Sequence, residues 1–427
     1  MILWMFVLML LFFLAGMPVA WAMALAATAY MGLTTPIPLQ AIAQRIVGGV
    51  DSFPLLAIPF FILAGNLMNT GGITDRLVAF SKVLVGHIKG GLAHVVVVTN
   101  MIMAGMSGSG VADAAGSGSV LIPAMHRAGY GIPFAAAIVG AAGTIGPIIP
   151  PSIPFVVFGS MANVSIGRLL LAGAVPGILM GIALMVFASI IAKRREYPSD
   201  RKATWGEFGW ATLRALPPLG MPIIILGGIV GGVMTPTESA AAGATYAFIL
   251  GTFVYREIKW RDLPRIIEES TLGTAAVMII MAAASPFAFM LTLAQAPQMV
   301  MGFFQALQLS QWQILLVLNI TVLILGCFLE GMALLIMATP VLMPLIAAAA
   351  IDPVHFGVIF VINIMIGTVT PPVGTIMYVV CALGKISISQ FAREIWPFLI
   401  ALVIALFLVT YVPFLSLWLP NLLMPTQ

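Results

Sequence analysis

The sequence predicts an all-α polytopic membrane protein that carries one architecture twice, and three observations support this. Of its 427 residues, 61% are hydrophobic and only 7% charged, whereas a soluble domain of this length carries charge on roughly a quarter of its positions. Apolar stretches of membrane-helix character recur along the whole chain. Finally, "GTIGPIIPPSIPFVVFG" at 143–159 aligns without a gap on "IMIGTVTPPVGTIMYVV" at 364–380. The shift of 221 positions that places Pro150 and Pro151 on Pro371 and Pro372 also places Gly146 on Gly367, Pro123 on Pro344, Gly105 on Gly326 and Gly110 on Gly331.

In chain order, the run 2–33 opens with "MILWMFVLML", which lacks the basic n-region of a signal peptide and is read as helix. Apolar runs at 53–68 and 77–98 follow. The segment 93–125 turns polar in its middle at "GMSGSGVADAAGSGS", residues 105–119, and then reaches Pro123. An apolar segment interrupted at its centre predicts a re-entrant hairpin with its tip at the midplane. The run 133–161 would be about 43 Å long as one helix, against roughly 30 Å of hydrocarbon. Pro147, Pro150, Pro151 and Pro154 remove amide donors from its middle. A broken helix is therefore predicted, surviving only where protein or a polar cavity surrounds it.

A helix at 168–192 closes the first half-repeat, placed at 1–192. Residues 193–269 hold ten of the 18 basic residues, in "AKRREYPSDRK" with Arg214 and in "YREIKWRDLPR", separated by apolar runs at 217–234 and 239–255. Both basic loops thus lie on one side, which the positive-inside rule makes cytoplasmic, and no aromatic platform among them suggests nucleic acid. The second half-repeat, 270–427, brings a helix at 271–294, a hairpin at 313–346 and a broken helix at 354–383 with Thr368, Thr370 and Thr375 around its break. A final helix lies at 397–419. Hydropathy leaves open whether the halves are parallel or inverted. Duplicated halves meeting at broken helices are the usual plan of a secondary transporter.

The motifs "MSGSGVADAAGSGSVLIPAM", "FLEGMALLIMATPVLMPL", "GTIGPIIPPS" and "IGTVTPPVG" resemble the large membrane (M) subunit of TRAP transporters, the tripartite ATP-independent periplasmic family, and the resemblance covers essentially the whole chain. It implies inverted repeats, each with a re-entrant hairpin and a broken helix, arranged as an elevator-type scaffold plus transport domain. It also implies sodium coupling, a bacterial inner-membrane location, a small membrane (Q) subunit as partner and a periplasmic substrate-binding protein delivering an organic acid. No small subunit is fused ahead of these motifs, so it is expected as a separate chain.

Residue by residue, the resemblance places one sodium site at Ser107, Gly108, Ser109 and Gly110 with Gly143, Thr144 and Gly146, and Asp113 lies close behind that tip. A second would combine Gly326, Glu330 and Gly331 with Gly367, Thr368 and Thr370. The acid would lie near Pro150, Pro151, Ser152, Pro371, Pro372 and Val373. The second tip carries Phe328, Leu329 and Glu330 where the first has Ser107, Gly108 and Ser109, so the two sites are chemically unequal. Sodium favours oxygen ligands, which unwound carbonyls and hydroxyls supply, and half-helix amino ends favour a carboxylate. The acid itself is left open among C4-dicarboxylates, sialic acid and other sugar or keto acids.

Other readings stand beside this one. Gly105 to Gly118 suits plain helix packing, and Asp113 and Glu330 suit structural hydrogen bonding. Glu238 reads as a helix cap, and Arg168 and Lys385 as residues snorkelling to headgroups. "GMSG" matches the GxSG of rhomboid-like intramembrane serine proteases with Ser107 as nucleophile, although its repeat copy has no serine. No GxxxxGK[ST] phosphate loop occurs, which leaves no ATP site. His87, His94, His126 and His355 lack metal-ligand spacing, and Cys327 and Cys381 read as packing residues. A single-component ion-coupled carboxylate carrier is the nearest alternative function.

Overall fold

The computed structural model describes residues 2–425, which form α-helices and no strands among the described residues. They begin with α1 (Ile2–Leu14), α2 (Val19–Thr34), α3 (Gln40–Gly48), α4 (Ala57–Thr70) and α5 (Ile73–Val85). The first repeat unit comprises α6 (Gly91–Ser107), α7 (Gly110–Arg127), α8 (Ile132–Gly143), α9 (Ile153–Ala162) and α10 (Ile166–Arg194). Next come α11 (Trp205–Val230), α12 (Pro236–Ile249), α13 (Leu263–Leu293) and α14 (Ala296–Ala306). The second unit is α15 (Gln311–Gly326), α16 (Gly331–Ala348), α17 (Pro353–Gly367), α18 (Thr375–Gly384) and α19 (Ile388–Tyr411), followed by α20 (Phe414–Leu423).

In each unit the first two helices make a hairpin, and the next two are one helix broken at the prolines. Pro150–Pro151 and Pro371–Pro372 are both cis. Among the described residues, six helical segments are long and apolar enough to cross a membrane, and the hairpin and half-helix pieces are mostly shorter. The unwound backbone at the first break lies within the helix packing, as a medium without water demands, whereas Pro372 and Val373 at the second break are exposed.

Cross-chain contacts fix which end of the molecule each helix begins from. Gly90 N donates to Pro198 O at 3.2 Å and Asp200 N to Gly86 O at 3.0 Å, so the first hairpin starts from the end where α10 finishes. Arg195 pairs with Glu394 at 2.9 Å, which puts the start of α19 at that end too. At the opposite end Arg168 donates to Asn421, Gln311 Nε2 to Ala350 O, and His355 meets Thr410 O and Ser416. The second hairpin therefore enters from the opposite face, and the repeats are inverted. Following the chain with this polarity puts every Lys and Arg except Arg45 and Arg168 at the end of the basic loops, a bias that marks it as cytoplasmic.

The inversion interlocks the halves. The outgoing hairpin arm α7 packs on α18, and its counterpart α16 packs on α9, while α10 and α19 lie against each other. A second group, α1–α4 with α11–α13, packs mainly on itself. In the second repeat unit a buried polar chain ties three helices together. Asn363 Nδ2 donates to Asn319 Oδ1 at 2.9 Å, and Asn319 Nδ2 donates to Thr410 Oγ1 at 3.0 Å. Since the Thr410 carbonyl can only accept, the His355 ring nitrogen facing it, Nε2, carries the proton, and Nδ1 lies 2.7 Å from Ser416 Oγ. Asn319→Leu is expected to cost about 1–2 kcal/mol, seen as a lower melting midpoint in detergent with no change in ion dependence.

Candidate functional site

The first hairpin reverses at Gly108, whose φ of +63° is left-handed backbone that a side chain would strain. A Cβ there would also lie 2.9 Å from Pro151 O, so the tip rests directly on the break. Ser109 caps α7 by accepting from Ala112 N at 3.4 Å, and Ser109 N donates to Ser107 Oγ at 3.2 Å. Ser107 Oγ in turn donates to Asp113 Oδ1 at 2.5 Å. Behind the carboxylate, Ser117 Oγ donates to the Asp113 carbonyl at 2.7 Å and accepts from Asn100 Nδ2 at 3.0 Å.

The other carboxylate oxygen, Asp113 Oδ2, is fully buried and has no hydrogen-bond partner. It faces Gly146, where any Cβ would collide with it, and a Cβ at that position would also stand 3.1 Å from Gly110 Cα and 3.2 Å from Gly110 N. Gly143 approaches Gly110 O as closely from the same break. The three glycines thus let the tip and the break touch backbone to backbone around one orphaned anionic oxygen. Such an atom is costly in an apolar interior, and a hard cation with neighbouring carbonyl oxygens answers that cost. Thr144 turns its hydroxyl to Ala141 O at 2.7 Å, back into its own helix end.

The second tip is built differently. Gly326 crosses Gly367 so closely that a Cβ on Gly367 would meet Gly326 O at 2.7 Å and its C and Cα at 2.9 Å. Val373 N donates to Cys327 O at 3.2 Å, a direct bond from break to tip. Glu330 is half-buried and caps α16, accepting from Ala333 N at 2.8 Å. Gly331 leaves room for Ile364, and Thr368 and Thr370 bond Met365 O and Ile366 O at 2.6 and 2.7 Å. Among the described residues, no fully buried orphan carboxylate oxygen marks this side.

Around the two breaks the surroundings also differ. Pro150, Pro151 and Ser152 are buried, under α10 residues Gly173 and Gly177 whose missing side chains admit Ile148 and Ile149. Ser152 Oγ donates to Pro147 O and accepts from Phe155 N, so that half-helix end is already capped. Pro372 and Val373 are exposed, beside Tyr378, whose hydroxyl donates to Pro372 O at 3.1 Å. Ile376 N and Met377 N are taken by Thr368 O, so the amino end of α18 is satisfied internally as well.

Glu238 caps α12 with Thr235. Arg168, by contrast, does not snorkel: it is buried and donates to Asn421 Oδ1 at 2.7 Å. Ser107 is held by Asp113, while His94 Nε2 pairs with Ser189, so the serine lacks the histidine a protease would use. Sequence reasoning missed Asn100, Ser117, Asn319 and Asn363; the usable signal was an amide or hydroxyl isolated within a strongly apolar helix.

Two inverted repeats, each bringing a hairpin tip onto a helix break near mid-molecule, define a secondary-transporter permease. The chain belongs to the family described as the tripartite ATP-independent periplasmic transporter, DctM component, matched over residues 3–415. It is a transport protein of the inner membrane, multi-pass, and not an enzyme. It is 42% identical over 96% of both chains to the sialic acid TRAP transporter large permease SiaM of Vibrio cholerae. It is 40% identical to the 2,3-diketo-L-gulonate TRAP transporter large permease YiaN of Escherichia coli, over 93% of this chain and 94% of that one. Its fold resembles the solved Alcanivorax borkumensis YdaH transporter with a TM-score of 0.66 at 14% identity, covering 92% of this chain and 97% of that one.

Proposed function

We propose that this chain is the sodium-coupled membrane permease for an organic acid, delivered by a periplasmic substrate-binding protein and carried by an elevator movement in complex with a small membrane subunit. The single observation that supports it most is the buried, unpartnered Asp113 Oδ2 where the first tip crosses the first break. In this reading Asp113, with hydroxyl and carbonyl oxygens from 107–110 and 143–146, holds one sodium ion. The second tip and break, with Glu330, Thr368 and Thr370, hold another in a wetter setting. Relatives of about equal similarity are named for sialic acid, 2,3-diketo-L-gulonate and C4-dicarboxylate, so the acid is drawn from those carboxylate classes. In this reading the acid first meets the second break, where Pro372 and Val373 are exposed beside Tyr378. The helix group α1–α4 with α11–α13, which packs mainly on itself, suits a fixed scaffold for the interlocked repeats.

The test is uptake of labelled organic acids into proteoliposomes holding this chain, its small subunit and its binding protein, with and without an inward sodium gradient. Uptake that needs both sodium and the binding protein supports the proposal. Sodium-driven uptake indifferent to the binding protein would instead make the chain a single-component carrier. Ser107→Ala removes one hydroxyl and is expected to weaken sodium half-saturation by about 5- to 10-fold, the worth of one ordinary hydrogen bond of about 1–1.4 kcal/mol, with assembly unchanged.

A further inference from the structure

At the cytoplasmic end a groove of about 580 Å³ opens between α5, the 195–204 connection and α11. Lys82 and Val83 form one wall, Asp200 and Arg201 the floor, and Glu207 and Trp210 the other wall. Lys82 pairs with Asp200 at 3.3 Å, and Arg201 pairs with Glu207. Arg214 stacks over the Trp210 ring at 3.7 Å, and Lys202 is exposed next to Arg201. Neither of these two cations belongs to an ion pair among the described residues. The groove and its rim therefore carry four cations against two carboxylates. Trp205 is 90% and Trp210 55% exposed, the kind of aromatic belt that sits at headgroup depth.

We infer that this groove binds an anionic phospholipid of the cytoplasmic leaflet, its phosphate on Arg201 and Arg214 and its acyl chains running along the exposed Leu213 and Leu216 of α11. The charge excess selects an anionic headgroup over a zwitterionic one, and the leaflet facing the basic loops supplies it. The position gives the lipid a role. Residues up to Asp200 are fastened to the first repeat unit through Gly86 and Gly90, and the chain beyond enters α11 of the other helix group. A bound headgroup braces that junction.

Quenching of tryptophan fluorescence by brominated lipid tests this, with the difference between the parent and Trp210→Phe isolating Trp210. At equal mole fraction, brominated phosphatidylglycerol is expected to quench the Trp210 component at least about threefold more than brominated phosphatidylcholine, since each surface cation favours an anionic lipid severalfold. The Arg201→Gln/Arg214→Gln double variant should lose that excess, and native mass spectrometry should lose the phosphatidylglycerol adduct with it. If the double variant fails to fold, Arg214→Gln alone should lose part of the excess. Equal quenching by the two lipids, or an excess that persists in a folded variant, overturns the inference.

Discussion

Asp113→Asn is expected to abolish sodium-driven uptake at ordinary sodium concentrations, raising half-saturation by about 30- to 100-fold. The amide still accepts from Ser107 through one oxygen, so the 2.5 Å hydrogen bond and the capping of α7 survive. It places two N–H donors where Oδ2 now stands without a partner, however, and a donor repels a cation. Losing a charge-assisted interaction of about 2–3 kcal/mol accounts for that range. The stability signature has the opposite sign and separates an ion ligand from a structural acceptor. Without sodium the variant should melt at or above the parent, because a buried uncompensated charge has been removed. With sodium at about 100 times the parent's dissociation constant this site should stabilise the parent by about 2.7 kcal/mol, and the variant by less than about 1 kcal/mol. Equal sodium-dependent stabilisation of both proteins would leave Asp113 as a packing residue.

Gly367→Ala is expected to eliminate transport and lower the melting midpoint together. The added methyl would face the O, C and Cα of Gly326 at 2.7–2.9 Å, all of it backbone, so no side chain can swing aside. Overpacking of this kind costs about 1–3 kcal/mol, and relief requires the second tip to draw away from its break, opening the Val373-to-Cys327 hydrogen bond. Gly227→Ala in α11 is the matching control, since nothing lies within 4 Å of a Cβ there. It should gain up to about 1 kcal/mol from helix propensity and leave transport unchanged. Full activity in Gly367→Ala would show that the close crossing of tip and break is dispensable.

Much of this molecule is legible in its amino-acid order, because the determinants are local. A proline removes its own amide, and a run of apolar residues declares its own solvent. The glycines and the two proline pairs repeated at one offset reveal the duplication, and Gly146 and Gly367 each meet the backbone of their hairpin tip, where a side chain would collide. The special place of Asp113 is half legible: a carboxylate in "GSGVADAAG" is conspicuous, but its neighbours do not reveal that one oxygen is satisfied by Ser107 and the other by nothing. That depends on Gly146, 33 positions away, and on the way the tip lies across the break.

Residues within one or two turns of helix were enough to define the class of protein, the two hairpins, the two breaks and the glycines that line them, since each follows from local chemistry. The inversion of the repeats came from packing alone. It rests on Arg195 meeting Glu394 at one end and Arg168 meeting Asn421 at the other, contacts between residues about 200 or more positions apart with no local signature. Packing likewise makes Glu330 a helix cap while leaving Asp113 with an orphaned oxygen, and it covers the first proline pair while the second stays open. Two segments of similar composition differ in chemistry once α10 covers one break and leaves the other exposed, because burial and partner geometry belong to the packing and not to the residue.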